Sequence, residues 1–284
     1  MCLQTLNNFG FKVVDRNRDE VEPILRSALE QQVPFEIGLY HQDPDTHAML
    51  RTELKDCGLA VNTHLDHHRL SIFDLQGQEV YLRRQIETSL ELGAGYAIDH
   101  IAKAVMSPRR SHRKALMERL LVNLRLMNRI CREYDFPIYL ENTYHGLPFY
   151  QRIFSAILHS GFDQIHACFD LGHAKVWSNE PLWNWLAFLD DLCADGLELH
   201  FHLHANSGLA DEHLSFPEAE LLGFTAADHF TAPWDSFEAL SVIDQRFPRA
   251  RKVFEVPPRQ ALGNQERVSE LIGRLRTNET TTAD

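Results

Sequence analysis

The sequence lacks the features that mark several common protein classes. Its five cysteines are odd in number and form no C-x-x-C pair, which argues against a disulfide framework or a structural zinc knot. Cysteines used in this way fit a reducing compartment, so we expect a cytoplasmic protein. No run of about 18 apolar residues is present, and we therefore expect no membrane span. The first 20 residues also lack the basic start and apolar core of a signal peptide.

Positive charge is in short supply. Lysine and arginine number 28 against 40 acidic residues, which gives a formal net charge of −12 over 284 residues. This balance disfavours a nucleic-acid or anionic membrane surface, although a local basic patch would still permit either. The chain also has no G-x-G-x-x-G or Walker-type loop, no internal repeat and no interdomain linker. We therefore expect one domain without a nucleotide-binding signature.

Short apolar runs alternate with longer helical segments along the chain. The clearest helix is expected at 110–135, where apolar residues recur three and four positions apart, and another at 264–275. Strands are expected at 11–14, 35–40, 59–65, 95–101, 137–142, 165–171, 197–204 and 252–257. Eight strand–helix units in a chain of this length predict a single (β/α)8 TIM barrel, with a doubly wound open sheet as the alternative. We place the barrel at 1–275 and a polar C-terminal tail at 276–284.

One strand carries an unusual histidine pattern. In LELHFHLH at 197–204, leucine and phenylalanine alternate with histidine. The apolar face suits packing against the outer helices, so the histidines are expected to point into the barrel. These inward residues are His200, His202 and His204.

The same alternation places polar groups at the ends of four successive strands. The inward groups are Glu141, Asp170, His202 and Glu255. Catalytic groups in TIM barrels come from this end of the strands. Each group alone could be a hydrogen-bonded structural residue, but three buried carboxylates together repel unless a cation neutralises them. Carboxylate oxygen and imidazole suit Mn²⁺, Zn²⁺ or Mg²⁺, so this set predicts a divalent metal site.

Four motifs, YLENT, CFDLGHA, HLHANSGLADEH and FEVP, occur in this order. Together they resemble the xylose isomerase-like TIM barrels, which include sugar phosphate isomerases and epimerases, dehydratases, and the endonuclease IV group (AP endonuclease family 2). The resemblance covers essentially the whole chain. It implies a metal, Mn²⁺ or Zn²⁺ with Mg²⁺ or Co²⁺ as alternatives, on Glu141, Asp170, His202 and Glu255. It also implies that Glu141 and Glu255 exchange protons with the substrate and that His173 reaches it.

The endonuclease members of this superfamily hold further zinc ions. The resemblance assigns those extra ligands to His64, His100, His173, Asp211 and His213, and each of these positions carries a suitable residue. The match at His100 is the least close, because the usual H-P-G is replaced by HIA.

The sequence also departs from the family pattern. Ala205 stands where the family often has aspartate, so His204 or Asn206 would take over its polar role. The glycine-rich and basic DNA-contacting loops of endonuclease IV are not evident.

Other residues bear on the predicted site. Arg109 opens the helix at 110–135 and is assigned to a substrate phosphate or carboxylate, with a solvated basic helix start as the alternative. Asn142, next to Glu141, is assigned to substrate binding. Glu36 either touches substrate or is a buried structural acid. The long connection at 205–235 is predicted to form a lid, against a surface excursion.

Two enzyme functions fit these expectations, and we favour the first. It is a divalent-metal-dependent isomerase or epimerase, or a related dehydratase, acting on a sugar-like hydroxy-carbonyl compound through a metal-stabilised enediolate. The second is a multi-zinc hydrolase of the endonuclease IV type, acting on a phosphodiester or a small-molecule amide. A barrel that binds ligand without turnover is a third class. We expect a polyhydroxylated small molecule as partner rather than nucleic acid or membrane, and a homo-oligomer is compatible with the sequence.

Overall fold

The computed structural model describes residues 8–101, 109–227 and 234–281. Eight parallel strands close into a barrel in chain order, with the last strand paired to the first. The strands are β1 Phe9–Val14, β2 Phe35–Gly38, β3 Val61–His64, β4 Ala97–His100, β5 Ile138–Glu141, β6 Ile165–Asp170, β7 Leu199–Leu203 and β8 Arg251–Phe254. The prediction of a single (β/α)8 TIM barrel is confirmed, and the open-sheet alternative is wrong.

Helices connect the strands and surround the barrel. They are α1 Arg18–Gln31, α2 Pro44–Glu53, α3 Glu79–Glu91, α4 Arg110–Tyr134, α5 Leu147–Ser160, α6 Leu171–Trp177, α7 Leu182–Ala194, α8 Phe216–Leu222, α9 Ser236–Arg246 and α10 Pro258–Thr281. Helix α10 continues to Thr281 and so enters the segment 276–284 that we assigned to a polar tail. The boundary of the catalytic domain stays a prediction. Among the described helices, none is long and apolar enough to cross a membrane.

The two faces of the barrel wall are packed differently. Outward side chains such as Phe201 and Leu140 join the main apolar core under the helices. A small apolar cluster in the barrel interior is separate from that core and consists of Tyr96, Ile98, Tyr139 and Cys168. Other interior positions are polar and buried, among them Lys12, Glu36 and Asn62, which lie side by side in the register of β1, β2 and β3. This polar interior leads directly to the carboxyl ends of the strands.

Asp99 is a buried acid on β4 that lies outside this polar interior. Its side chain is 2% exposed and lies near Cys131 of α4. Burial raises the pKa of Asp99 to about 7. The unfolded value is about 3.9, so the folded state binds this proton more tightly. The free energy of unfolding therefore falls as the pH rises from about 4 to about 7.

We expect Asp99→Asn to remove this pH dependence. The variant should gain roughly 2 to 4 kcal/mol of unfolding free energy at pH 8 relative to the wild type, and little at pH 4, since each pKa unit corresponds to about 1.4 kcal/mol. Urea unfolding at the two pH values measures the difference. Asp191→Asn, an exposed change on α7, is the control. Equal effects of Asp99→Asn at both pH values would contradict the account.

Candidate metal centre

Four side chains from the last four strands meet at the carboxyl end of the barrel. Glu141 ends β5, Asp170 ends β6, His202 lies in β7 and Glu255 directly follows β8. Each offers a ligand atom within 4.8 Å of those of the other three. Each also has one buried atom that makes no well-aligned hydrogen bond to a described residue, although two of these atoms lie 3.0 Å apart (His202 Nδ1 and Glu255 Oε2): Glu141 Oε1, Asp170 Oδ2, His202 Nδ1 and Glu255 Oε2. The structure thus brings together the four residues predicted as metal ligands.

These four atoms can be tested as a metal site by their chemistry. A buried donor or acceptor without a partner costs about 1–3 kcal/mol, and more when it is charged. Three carboxylates at one point also repel one another. One divalent cation would satisfy all four atoms, and a mixed oxygen and imidazole set suits Mn²⁺ or Zn²⁺. The residues therefore fit a resident divalent ion, while the role of each one stays a prediction.

Helix capping and close packing account for the aspartate and the glycine of the D-L-G-H segment at 170–173. Asp170 caps the start of α6 and accepts a hydrogen bond from the His173 backbone N–H at 2.6 Å. A side chain at Gly172 would collide with the His204 ring, because an added Cβ would lie 2.1 Å from its Cε1. Glycine therefore allows His204 to lie against the first turn of α6.

Asn142 ties the ends of β5 and β6 together. Its Oδ1 accepts from the Asp170 backbone N–H at 2.7 Å, and its Nδ2 donates to the Asp170 carbonyl at 2.9 Å. The side chain is buried, so the structure gives it a positioning role, and the substrate contact we assigned stays a prediction. Arg109 is exposed at the start of α4, next to residues 102–108, which lie outside the described ones. Its role in substrate binding also stays a prediction.

A first flanking group of potential metal ligands contacts Glu141, which also belongs to the central set. His64 Nε2 lies 3.1 Å and His100 Nε2 3.2 Å from Glu141 Oε2. Burial lowers the pKa of His64 to about 4, so this imidazole is neutral and its lone pair is available at neutral pH. His67 completes the group, and its ring stacks on that of His100 at 4.0 Å between centroids. We had not assigned His67 as a ligand, and its only sequence signal was its place in VNTHLDHH.

A second flanking group of potential metal ligands contacts Asp170 of the centre. His173 Nε2 lies 3.0 Å and His213 Nε2 3.3 Å from Asp211 Oδ2, and His204 Nε2 lies 3.1 Å from Asp170 Oδ1. The four donors of this group are His173, His204, Asp211 and His213. Each of the predicted additional ligands therefore lies in one of the two flanking groups, and its role as a ligand stays a prediction.

A short hairpin carries Asp211 and His213 to the site. Ala205 and Leu214 pair as an antiparallel bridge through two backbone hydrogen bonds of 2.9 and 2.8 Å. His213 has a φ of 50°, a strained conformation for a residue with a side chain, and its ring stacks on His204 at 4.2 Å. The predicted lid at 205–235 thus contributes two side chains to the site, while its residues 228–233 lie outside the described ones. Lid closure stays a prediction.

The charges of the site act strongly on Glu141 and Glu255. Burial raises the pKa of Glu141, but His100 and His202 outweigh this effect and hold it well below the usual value. For Glu255, burial is outweighed by the nearby charges of Lys12 and His213, which likewise lower its pKa. Lys12 is a residue that we did not predict; its Nζ is buried and lies 2.8 Å from Glu255 Oε1. The sequence indicated this role only through the inward position of Lys12 in the strand FKVV at 11–14.

Metal affinity should rise with pH, because the second flanking group holds protons that a metal must displace. Burial lowers the pKa of His213, but Glu255 and Asp211 raise it, with a net value of about 9. We expect zinc binding at pH 7 to release about one proton or more and the affinity to increase up to about pH 9. Calorimetric titration with ZnCl₂ in two buffers of different ionisation enthalpy measures the release. His213→Ala should release fewer protons, and binding without proton release would contradict the account.

No protein-family model and no curated protein matches the sequence. Solved structures do match. A D-tagatose 3-epimerase-like protein has a TM-score of 0.68 at 17% identity, covering 95% of this chain and 99% of that one. The TTHB071 protein from Thermus thermophilus, soaked with ZnCl₂, has a TM-score of 0.64 at 20% identity, covering 92% and 97%.

A third solved structure also matches over nearly the whole chain. A xylose isomerase domain protein from Planctomyces limnophilus has a TM-score of 0.56 at 10% identity, covering 98% of this chain and 96% of that one. Likeness at such low identity establishes the fold. The structural neighbours of this chain thus include a D-tagatose 3-epimerase-like protein and a xylose isomerase domain protein, in agreement with its motifs, and the chain has their fold.

Proposed function

We propose that this protein is a divalent-metal-dependent isomerase or epimerase of a sugar-like hydroxy-carbonyl compound. The observation that carries the proposal is the placement of two carboxylates around one ligand atom. Oε2 of Glu141 lies 3.1 Å and Oε2 of Glu255 3.0 Å from His202 Nδ1. Two bases therefore reach the same central position from different strands. A structural neighbour described as D-tagatose 3-epimerase-like supports the same substrate class.

The chemistry follows from what these residues can do with a carbon acid. Isomerisation and epimerisation both move a proton at the carbon beside a carbonyl, which needs a base within hydrogen-bond reach. The lowered pKa values of Glu141 and Glu255 keep both ionised at neutral pH. One carboxylate removes the proton and the other returns one, to the same carbon for epimerisation or to the adjacent carbon for isomerisation. A bound divalent ion supplies positive charge that stabilises the negative charge developing on the substrate oxygens.

Exchange of hydrogen with solvent tests this assignment. We expect the metal-loaded protein to incorporate deuterium from D₂O beside the carbonyl of a ketose such as D-tagatose, D-fructose or D-ribulose. Glu141→Gln and Glu255→Gln should each reduce the exchange rate by about 10²–10⁴-fold, because each removes one base. Glu238→Gln, an exposed change on α9, is the matched control. Wild-type rates in both site variants, measured by mass spectrometry and NMR, would contradict the assignment.

A second candidate function rests on the potential metal ligands of the two flanking groups. Glu141 contacts His64 and His100 as well as the centre, and Asp170 likewise contacts His204. Shared carboxylates of this kind suit adjacent metal ions about 3.5–4 Å apart, as in two-metal phosphatases and nucleases. This arrangement favours a multi-zinc hydrolase of a phosphodiester or an amide. The net charge of −12 disfavours DNA as its substrate.

Zinc stoichiometry separates this second function from the first. The hydrolase proposal predicts about three zinc ions per chain and hydrolysis of bis(4-nitrophenyl) phosphate. His64→Ala and Asp211→Asn should each lower the zinc content by about one ion, since each removes a donor of one flanking group. His159→Ala, an exposed histidine on α5, is the control. Elemental analysis that found one zinc in the wild type and in both variants would contradict the hydrolase.

A further inference from the structure

Glu36 lies beneath the central donor set and has no assigned function. Its side chain is fully buried on the inward face of β2. Within the described part of the chain it belongs to none of the groups whose donors could hold a metal. Its oxygens instead approach the opposite side of the His202 ring, at 3.0 Å and 3.1 Å from Nε2. Glu36 therefore contacts the imidazole on the edge that faces away from Glu141 and Glu255.

The surroundings hold Glu36 as an anion in one position. Asn62 Nδ2 donates to its Oε2, and Lys12 Nζ lies 3.5 Å from its Oε1. His200 Nε2 lies 3.3 Å from Oε2, while His200 Nδ1 lies 2.7 Å from the hydroxyl of Tyr96. If that hydroxyl donates to Nδ1, the remaining nitrogen of His200 carries its proton toward Glu36. Every neighbour of this carboxylate can then act as a donor or a cation.

The position of Glu36 has a consequence for His202. An imidazole that ligates a metal carries its one proton on the nitrogen that does not face the metal, and a carboxylate facing Nε2 would accept that proton and hold it there. The lone pair is then on Nδ1, which is the atom that faces Glu141 and Glu255. We infer that Glu36 is a positioning residue that fixes the tautomer and orientation of His202 and thereby sets the metal affinity of the centre. The inference rests on the metal site used by the proposed function.

Cobalt binding tests this role without any substrate. The dissociation constant for Co²⁺ is measured by competition with a chelator on the full-length protein at pH 7.5. We expect Glu36→Gln to raise it by about 10–100-fold, the usual effect of losing the hydrogen-bond partner of a metal-ligating histidine. Glu36→Asp keeps the charge but withdraws it from Nε2, and it provides a milder variant with the same expected direction. Asp99→Asn, also a buried carboxylate changed to an amide, should keep the wild-type constant.

A spectroscopic signature separates positioning from a general loss of stability. In the cobalt-loaded wild type, the Nε2 proton of His202 should give a shifted, exchangeable ¹H NMR signal that His202→Ala removes. We expect Glu36→Gln to move this signal and speed its exchange with D₂O, while Asp99→Asn leaves it unchanged. Unchanged cobalt affinity and an unchanged signal in both Glu36 variants would overturn the inference alone. A wild type that bound no cobalt would overturn the proposed function and this inference with it.

Discussion

The structure depends on one electrostatic constraint, the gathering of three carboxylates and an imidazole in a buried space at the end of the barrel. Glu141 and Asp170 are fully buried, and Glu255 is 18% exposed. Such groups repel unless positive charge balances them. The chain supplies part of that charge through Lys12, which lies 2.8 Å from Glu255. Ligand atoms of these four residues lie within 4.8 Å of one another, and a divalent cation is the group that would satisfy them together.

The barrel meets this constraint by geometry rather than by any special loop. Alternation along β5, β6, β7 and β8 puts one inward polar residue near the carboxyl end of each and an apolar residue beside it against the helices. Short connections then hold the ends in place. Asn142 links β5 to β6, and Asp170 both caps α6 and faces the centre. The polar layer below, which includes Glu36, supports the histidine from its other side. Function and fold stability are therefore coupled through the same strands.

Strand periodicity was sufficient to predict the barrel and its central residues. A period of two fixes which face each residue occupies, so Glu141, Asp170, His202 and Glu255 could be assigned together. Contacts that depend on register between strands could not be read in this way. The pairing of Lys12 with Glu255 joins residues 243 positions apart, and that of Glu36 with His202 spans 166. His67 could not be assigned as a ligand from the sequence because it lies in a loop, where periodicity carries no information.

Anomalous diffraction is the most direct test of the central claim. Crystals of protein purified without chelator and supplied with zinc are measured on both sides of the zinc absorption edge. The account predicts an ion bonded to Glu141, Asp170, Glu255 and Nδ1 of His202, at about 2.0–2.2 Å from each ligand atom. An anomalous map with no ion at this position, or with an ion bound through Nε2 of His202, would contradict it.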